Sequence, residues 1–172
     1  MSKILSVKAH EILDSRKKPT IEVNLTTEQG NFKASVPSGA STGAYEALEL
    51  RDSDLHVSEA IRNVNEIIAP LIIGLNSEKQ NKIDELMIRI DGTKNKSRLG
   101  ANAILGVSMA VCRAGASSKN IPLYKYIAQL PGNKKFILPS PMFNLIEGGK
   151  HAKNYIAIQE FLITPLDRKS TR

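Results

Sequence analysis

Hydrophobic and polar residues alternate along the first part of the chain and then fall into a helical period, so the order of elements can be read directly. Two stretches, Ile4 to Leu13 and Thr20 to Thr27, read as alternating strands, with Ile21, Val23 and Leu25 sharing one face of the second. Glu28-Gln29-Gly30-Asn31 reads as a turn, and Phe32 to Val36 returns as a third strand, which predicts an antiparallel meander. Helical patterns follow. Ser58 is placed to cap a helix carrying Ile61, Val64 and Ile68, stopped at Pro70. Ser77 with Gln80 has the spacing of a capping box ahead of Ile83, Leu86, Met87 and Ile90, and Asp91-Gly92 ends that helix.

The longest helical stretch, about Leu99 to Ser117, carries Gly100, Ala101, Ala103, Gly106, Ser108, Ala110, Ala114 and Gly115. Each glycine costs helix propensity, so this composition predicts that another element approaches closely. Pro122 opens a short helix through Leu130, closed by Pro131-Gly132. Strands followed by helices predict an α+β domain, residues 1–135. Phe136 to Pro141 then reads as an extended linker opening a second segment, 136–172. In it Met142 to Ile146 and Tyr155 to Ile163 are expected as two buried strands, and Asp167 to Arg172 as a frayed polar end.

Composition narrows the function classes. No apolar run reaches the roughly 20 residues that cross a bilayer, and the first residues lack the apolar core of a signal peptide, so a membrane role is not expected. One cysteine, Cys112, forms no internal disulfide framework and fits a reducing, cytoplasmic setting; its alanine-rich surroundings predict a buried, inert thiol. The net charge of +7 raises the question of nucleic acid, yet the basic residues are scattered and aromatic residues make up only 5%, so no specific nucleic-acid partner is expected.

Candidate chemistry centres on Ser38-Gly39-Ala40-Ser41-Thr42-Gly43, small residues and hydroxyls entered from Val36-Pro37. Such a run suits a flap over an anion or a metal, or a plain solvent-exposed turn. It is not a Walker A loop, since no Gly-Lys-Ser/Thr follows at the required spacing. A glutamate inside an apolar strand, Glu160, needs a partner or a task if buried.

Several blocks taken in order resemble the enolase family: Glu11 to Arg16, the flap Val36 to Gly43, Glu46 to Asp52, Leu99 to Ser108, Gly148-Gly149 with His151-Ala152, and Gln159-Glu160-Phe161. The resemblance implies a three-stranded antiparallel meander and about four helices, followed by the first two strands of an incomplete barrel. It implies a lyase of glycolysis that reversibly dehydrates 2-phosphoglycerate to phosphoenolpyruvate, with Mg²⁺ stabilising a dianionic enediolate. Residue by residue, Ser41 matches the flap residue that ligates a Mg²⁺ through hydroxyl and carbonyl oxygens. His151 matches the loop histidine that approaches the substrate phosphate, and Glu160 the carboxylate that contacts substrate and helps hydroxide leave. Gln159 matches a substrate-binding position, with a plain strand hydrogen bond as its rival reading.

The chain also departs from the family pattern. Lys17-Lys18 stand where Gly-Asn is usual, His10 replaces an arginine where the family makes subunit contacts, and Glu147 replaces an asparagine before the two glycines. An eight-stranded barrel needs about 250 residues, so the isolated chain is expected to be incomplete and weakly active or inactive. The alternative expectation is a non-catalytic, truncated paralogue acting as an interaction module on a full-length enolase or another partner; a homodimer is the family's usual state.

Overall fold

The computed structural model describes residues 2–39, 42–133 and 135–165. Two compact units emerge, Met1–Ser38 with Ala44–Lys134, and Gly39–Gly43 with Lys135–Arg172. The first holds the sheet β1 (Ile4–Leu13), β2 (Pro19–Thr27) and β3 (Gly30–Ser35), antiparallel in that order. After it come α1 (Ser58–Arg62), a π-helical stretch Asn63–Ile68 and α2 (Ala69–Ile72) as one continuous helix, then α3 (Gln80–Asp91), α4 (Ala101–Ser118) and α5 (Leu123–Gln129). The second unit holds an antiparallel pair, β4 (Phe143–Glu147) and β5 (Glu160–Ile163). The architecture is α+β, with four helices beside the meander and no closed barrel among the described residues.

The core lies between the sheet and α4. Ile21, Val23 and Leu25 are fully buried, as their alternation predicts, and each contributes roughly 1.5–3 kcal/mol by leaving water. In β1 the alternation breaks at Leu5, where the pairing shifts between Ile4 and Ser6; this bulge brings Ile4 into phase with Val7 and Ala9 on the buried face. The small residues of α4 allow close approach: a Cβ on Gly106 would lie 2.8 Å from Val23 Cγ2. The outer edge of β1 is covered as well. Gly74 N donates to Ile4 O at 2.8 Å, and the Asn65 side chain holds both Ala9 N and Ala9 O at 2.8 and 3.2 Å.

Three helix boundaries differ from the sequence expectation. Ser58 is the first residue of α1 rather than its cap; the Asp52 carboxylate accepts from Ser58 N at 3.0 Å and Glu59 N at 3.4 Å instead. Pro70 does not stop its helix. The π-helical turn before it widens the backbone, with Ala69 N donating to Val64 O, so the ring and missing N–H of Pro70 fall at the start of α2. Nor does the capping box form: α3 begins at Gln80, Ser77 Oγ donates to Ser2 O at 3.1 Å, and Gln80 Nε2 turns to Asp84 and Ser108. The stop at Gly92 holds, with φ 67° and its amide donating to Ile88 O.

The second unit corrects two further expectations. Strand β5 starts only at Glu160. The carbonyls of Ile156 and Gln159 are taken by Gly149 N and Gly148 N at 2.8 and 2.9 Å, so residues 155–159 wrap the glycine pair instead of pairing with β4. Nor are the strands buried: Phe143, Leu145, Ile146, Phe161, Leu162 and Ile163 are all exposed, Phe161 the least at 44%. Within the second unit, no second layer covers the pair among the described residues. Asp167 to Arg172 lie outside the described residues, and no described helix is long and apolar enough to cross a membrane.

Candidate functional site

The hairpin between β4 and β5 brings three of the sequence candidates together. Gly148 is buried, and a Cβ there would sit 2.5 Å from Ile156 O and 2.6 Å from Ile158 O, so only glycine fits the fold of this loop. Gly149, at φ 56°, completes the turn, and His151 N donates to Gly148 O at 3.0 Å. Asn154 braces the loop from the far side, its Nδ2 donating to Glu147 O at 2.8 Å and its Oδ1 accepting from Ile156 N at 3.0 Å.

This frame sets the imidazole of His151 between two side chains of the returning strand. Nδ1 lies 2.8 Å from Glu160 Oε1, and Nε2 lies 3.2 Å from Gln159 Nε2. With the proton on Nδ1, the ring donates to the carboxylate and accepts from the amide; with both nitrogens protonated, Gln159 turns its oxygen to the ring. Glu160 thus has a partner, although the exposed strand it sits in does not leave it buried. Both side chains of the pair are only partly covered, 26% and 29% exposed, so a ligand can reach them. An open cavity of about 630 Å³, lined by residues from Gly149 to Tyr155, lies on the His151 side of the loop.

The flap is held at its root within the first unit. Ser38 O accepts from the Arg16 guanidinium at 2.5 Å, and Ser38 Oγ donates to Glu49 Oε2 at 2.8 Å. Glu49 is held in turn by Arg51 at 2.7 Å, and Arg51 also donates to Pro19 O and Leu55 O at 2.9 and 2.7 Å. Ile12, Asp14, Arg16, Thr20 and Ser38 are among the residues lining an open cavity of about 510 Å³. Pattern and composition assign no task to Arg16, Glu49 and Arg51; the one available signal was their place in the blocks flanking the flap. Gly39, Thr42 and Gly43 are described, whereas Ala40 and Ser41 lie outside the described residues, and with them the candidate metal ligand.

Among the described residues, no group of three or more His, Cys, Asp or Glu side chains converges on a point that would hold a metal. By themselves these residues do not fit a Mg²⁺ ion, which takes about six oxygens in near-octahedral geometry. Cys112 is half-buried rather than fully buried, and burial first, then nearby Asp84, pushes its thiol up, so it is a poor nucleophile.

The family model "Enolase, N-terminal domain" matches residues 4–127, and "Enolase, C-terminal TIM barrel domain" matches residues 135–172. Among individual proteins, an enolase of Mastigamoeba balamuthi is 60% identical over 171 residues, covering 96% of this chain and 39% of that protein. An enolase of Eimeria tenella is 55% identical over 184 residues, covering 99% of this chain and 41% of that protein. The chain spans about two fifths of the length of these relatives. With the N-terminal match covering most of its length and the C-terminal match covering residues 135–172, the chain belongs to the enolase family.

Proposed function

We propose that this chain contributes to a lyase site for the reversible dehydration of 2-phosphoglycerate to phosphoenolpyruvate. The observation that carries this reading is the His151–Glu160 hydrogen bond beside Gln159 at the mouth of the hairpin. In it Glu160 faces the leaving hydroxyl. The His151 proton, shared with the carboxylate across 2.8 Å, is positioned to pass to Glu160 and from there to the departing oxygen. His151 also approaches the substrate phosphate in this reading, and Gln159 orients the ring. The reading includes Mg²⁺, which stabilises developing negative charge when bound, with Ser41 as one hard-oxygen donor; no step is derived through it. Domain boundaries at 1–135 and 136–172, a cytoplasmic location and a dimer belong to the same reading.

The 172-residue polypeptide by itself is expected to turn over near background. The test follows phosphoenolpyruvate absorbance with purified chain and Mg²⁺, with and without Glu160→Gln. Robust Mg²⁺-dependent turnover that Glu160→Gln leaves unchanged would remove Glu160 from the mechanism. Turnover that Glu160→Gln abolishes would keep Glu160 and discard the incompleteness.

A second reading, an interaction module without catalysis of its own, is favoured by one observation. Phe143, Ile146, Phe161 and Ile163 form an exposed apolar face on the hairpin. Co-purification with a separately expressed enolase barrel supports this reading, and a chain that stays monomeric and alone in that mixture removes it.

A further inference from the structure

We propose that the loop after β4 is an oxyanion-binding site, with Lys150 and Lys153 as its cationic side chains and a phosphate monoester as the class of ligand it takes. The proposal rests on the lyase reading only for which monoester that is. Its basis is a concave surface carrying charge of one sign. Lys150, His151 and Lys153 all line the open cavity of about 630 Å³, and no aspartate or glutamate among the described residues lines it. Both lysines are exposed, and neither is paired with a carboxylate among the described residues. The two acids nearest in the hairpin are engaged elsewhere. Glu160 Oε1 accepts from His151 Nδ1 at 2.8 Å, and Glu147 Oε1 accepts from Asn144 Nδ2 at 2.9 Å.

The loop backbone supplies a second set of donors. The bonds that shape the loop use the amides of Gly148, Gly149, His151 and Asn154, whereas those of Lys150, Ala152 and Lys153 have no partner among the described residues. Unpaired N–H groups along a turn are donors that an anion takes. Their frame is braced on both sides: Asn154 Nδ2 donates to Glu147 O at 2.8 Å, and Asn154 Oδ1 accepts from Ile156 N at 3.0 Å. A held loop loses less freedom on binding than a free one. The imidazole adds little of its own, since both ring nitrogens are engaged, at 2.8 Å with Glu160 and 3.2 Å with Gln159. The charge that meets an incoming anion is therefore that of the two lysines. A phosphate monoester suits them better than a carboxylate does, because near neutral pH it brings up to two charges and three acceptor oxygens. Ammonium groups on flexible stems need no planar partner to receive it.

The test is an amide NMR titration of the full 172-residue chain with inorganic phosphate at about pH 8, where the dianion dominates, with ionic strength held constant by sodium chloride. The amides of Lys150, Ala152 and Lys153 should shift along a saturating curve. For a dianion roughly 6 Å from each ammonium at about 0.1 M ionic strength, Lys150→Gln and Lys153→Gln should each raise the midpoint about fourfold, and the double replacement about fifteenfold. Replacing both lysines by arginine keeps the charge and must keep the binding. Shifts that rise linearly without saturating overturn the proposal, as does a midpoint that the double glutamine variant leaves unmoved. Loss of binding in the double arginine variant overturns it too, since charge would then not be its source. A parallel titration with 2-phosphoglycerate separates the two readings. Binding no tighter than that of inorganic phosphate would count against the lyase assignment and leave the oxyanion site standing.

Discussion

Replacing Gly115 by alanine sets two effects against each other, and the structure decides which prevails. Alanine in a helix interior is about 1 kcal/mol more favourable than glycine. Against that, a Cβ at 115 would run into the Tyr126 hydroxyl, lie 2.6 Å from Tyr126 Cζ and 3.0 Å from Ser77 O. Neither neighbour is a free end. Tyr126 is fully buried, its hydroxyl donates to Glu78 O at 3.3 Å, and the Lys119 ammonium lies 5.2 Å from its ring centroid. Ser77 O belongs to the backbone. Forcing extra volume into such a site costs about 1–3 kcal/mol if the ring shifts, and about 3–5 kcal/mol if its burial is lost outright. The net expectation for Gly115→Ala is a loss of about 2 kcal/mol, read as a lower urea midpoint with an unchanged slope. A second readout is independent of the first: burial, followed by nearby Cys112 and the acidic groups, pushes the Tyr126 phenol up to about 12, and displacement should return it toward its ordinary range. A double-mutant cycle with Tyr126→Phe isolates the hydroxyl contact; Gly115→Ala should cost about 1 kcal/mol less in that background. A variant at least as stable as the parent, or a cycle with no coupling, would refute this account of how α4 receives α5.

Three further outcomes follow from polar groups of the first unit. Lys17 occupies the left-handed region at φ 59°, where a Cβ costs about 1–2 kcal/mol, so Lys17→Gly should gain about 0.5 kcal/mol after its larger unfolded-state entropy is subtracted; a lower melting temperature would contradict this. Asp91 is buried and accepts from Leu99 N at 2.8 Å, Thr93 N at 3.0 Å and the Thr93 hydroxyl. Asp91→Ala strands the Leu99 amide and should cost about 2–3 kcal/mol in urea unfolding, whereas a loss near zero would show that water replaces the carboxylate. Burial works to raise Asp91, but the Thr93 hydroxyl and the Leu99 and Thr93 amides outweigh it and hold the group low; its stabilisation is therefore present above the ordinary carboxylate range and lost as pH falls through its folded value. His56 runs in the opposite sense. The hydrogen bond to Glu11 and then its charge raise the imidazole, with Nδ1 2.8 and 2.9 Å from the two carboxylate oxygens, so this stabilisation is complete below about pH 6.5 and lost as pH rises through the folded value. Glu11→Gln should flatten that loss in a melting series from pH 5 to 9; an unchanged slope would exclude the pair as its source.

How much was legible in the sequence depended on whether a signal was local. Ile21, Val23 and Leu25 announced their strand because alternation needs no partner to be read, and Gly92 announced a helix end because only its own φ matters. The misread boundaries all involve a group arriving from elsewhere. Asp52 caps α1 across a loop, so Ser58 is free to be the first helical residue. Ser77 fails to cap α3 because Ser2 O claims its hydroxyl from the other end of the chain. The π-helical turn that rescues Pro70 also sets Asn65 against Ala9, a tertiary contact that no helical period encodes.

The candidate site repeats this division within one hairpin. His151, Gln159 and Glu160 are close in sequence, and the two glycines between strand and histidine force the return that joins them, so their meeting could be anticipated. What could not be anticipated is the company they keep. A pattern reading of Met142 to Ile146 as a regular strand puts Glu147 in phase with the apolar positions, where a carboxylate has no reason to be. The extra residue Leu145 rotates it onto the polar face opposite Glu160. One bulge thus separates an apolar face, suited to packing against a further layer, from a face with two carboxylates and an imidazole. A departure that looks like loss in sequence, glutamate for asparagine, sets two carboxylates at paired positions across the hairpin once the register is known.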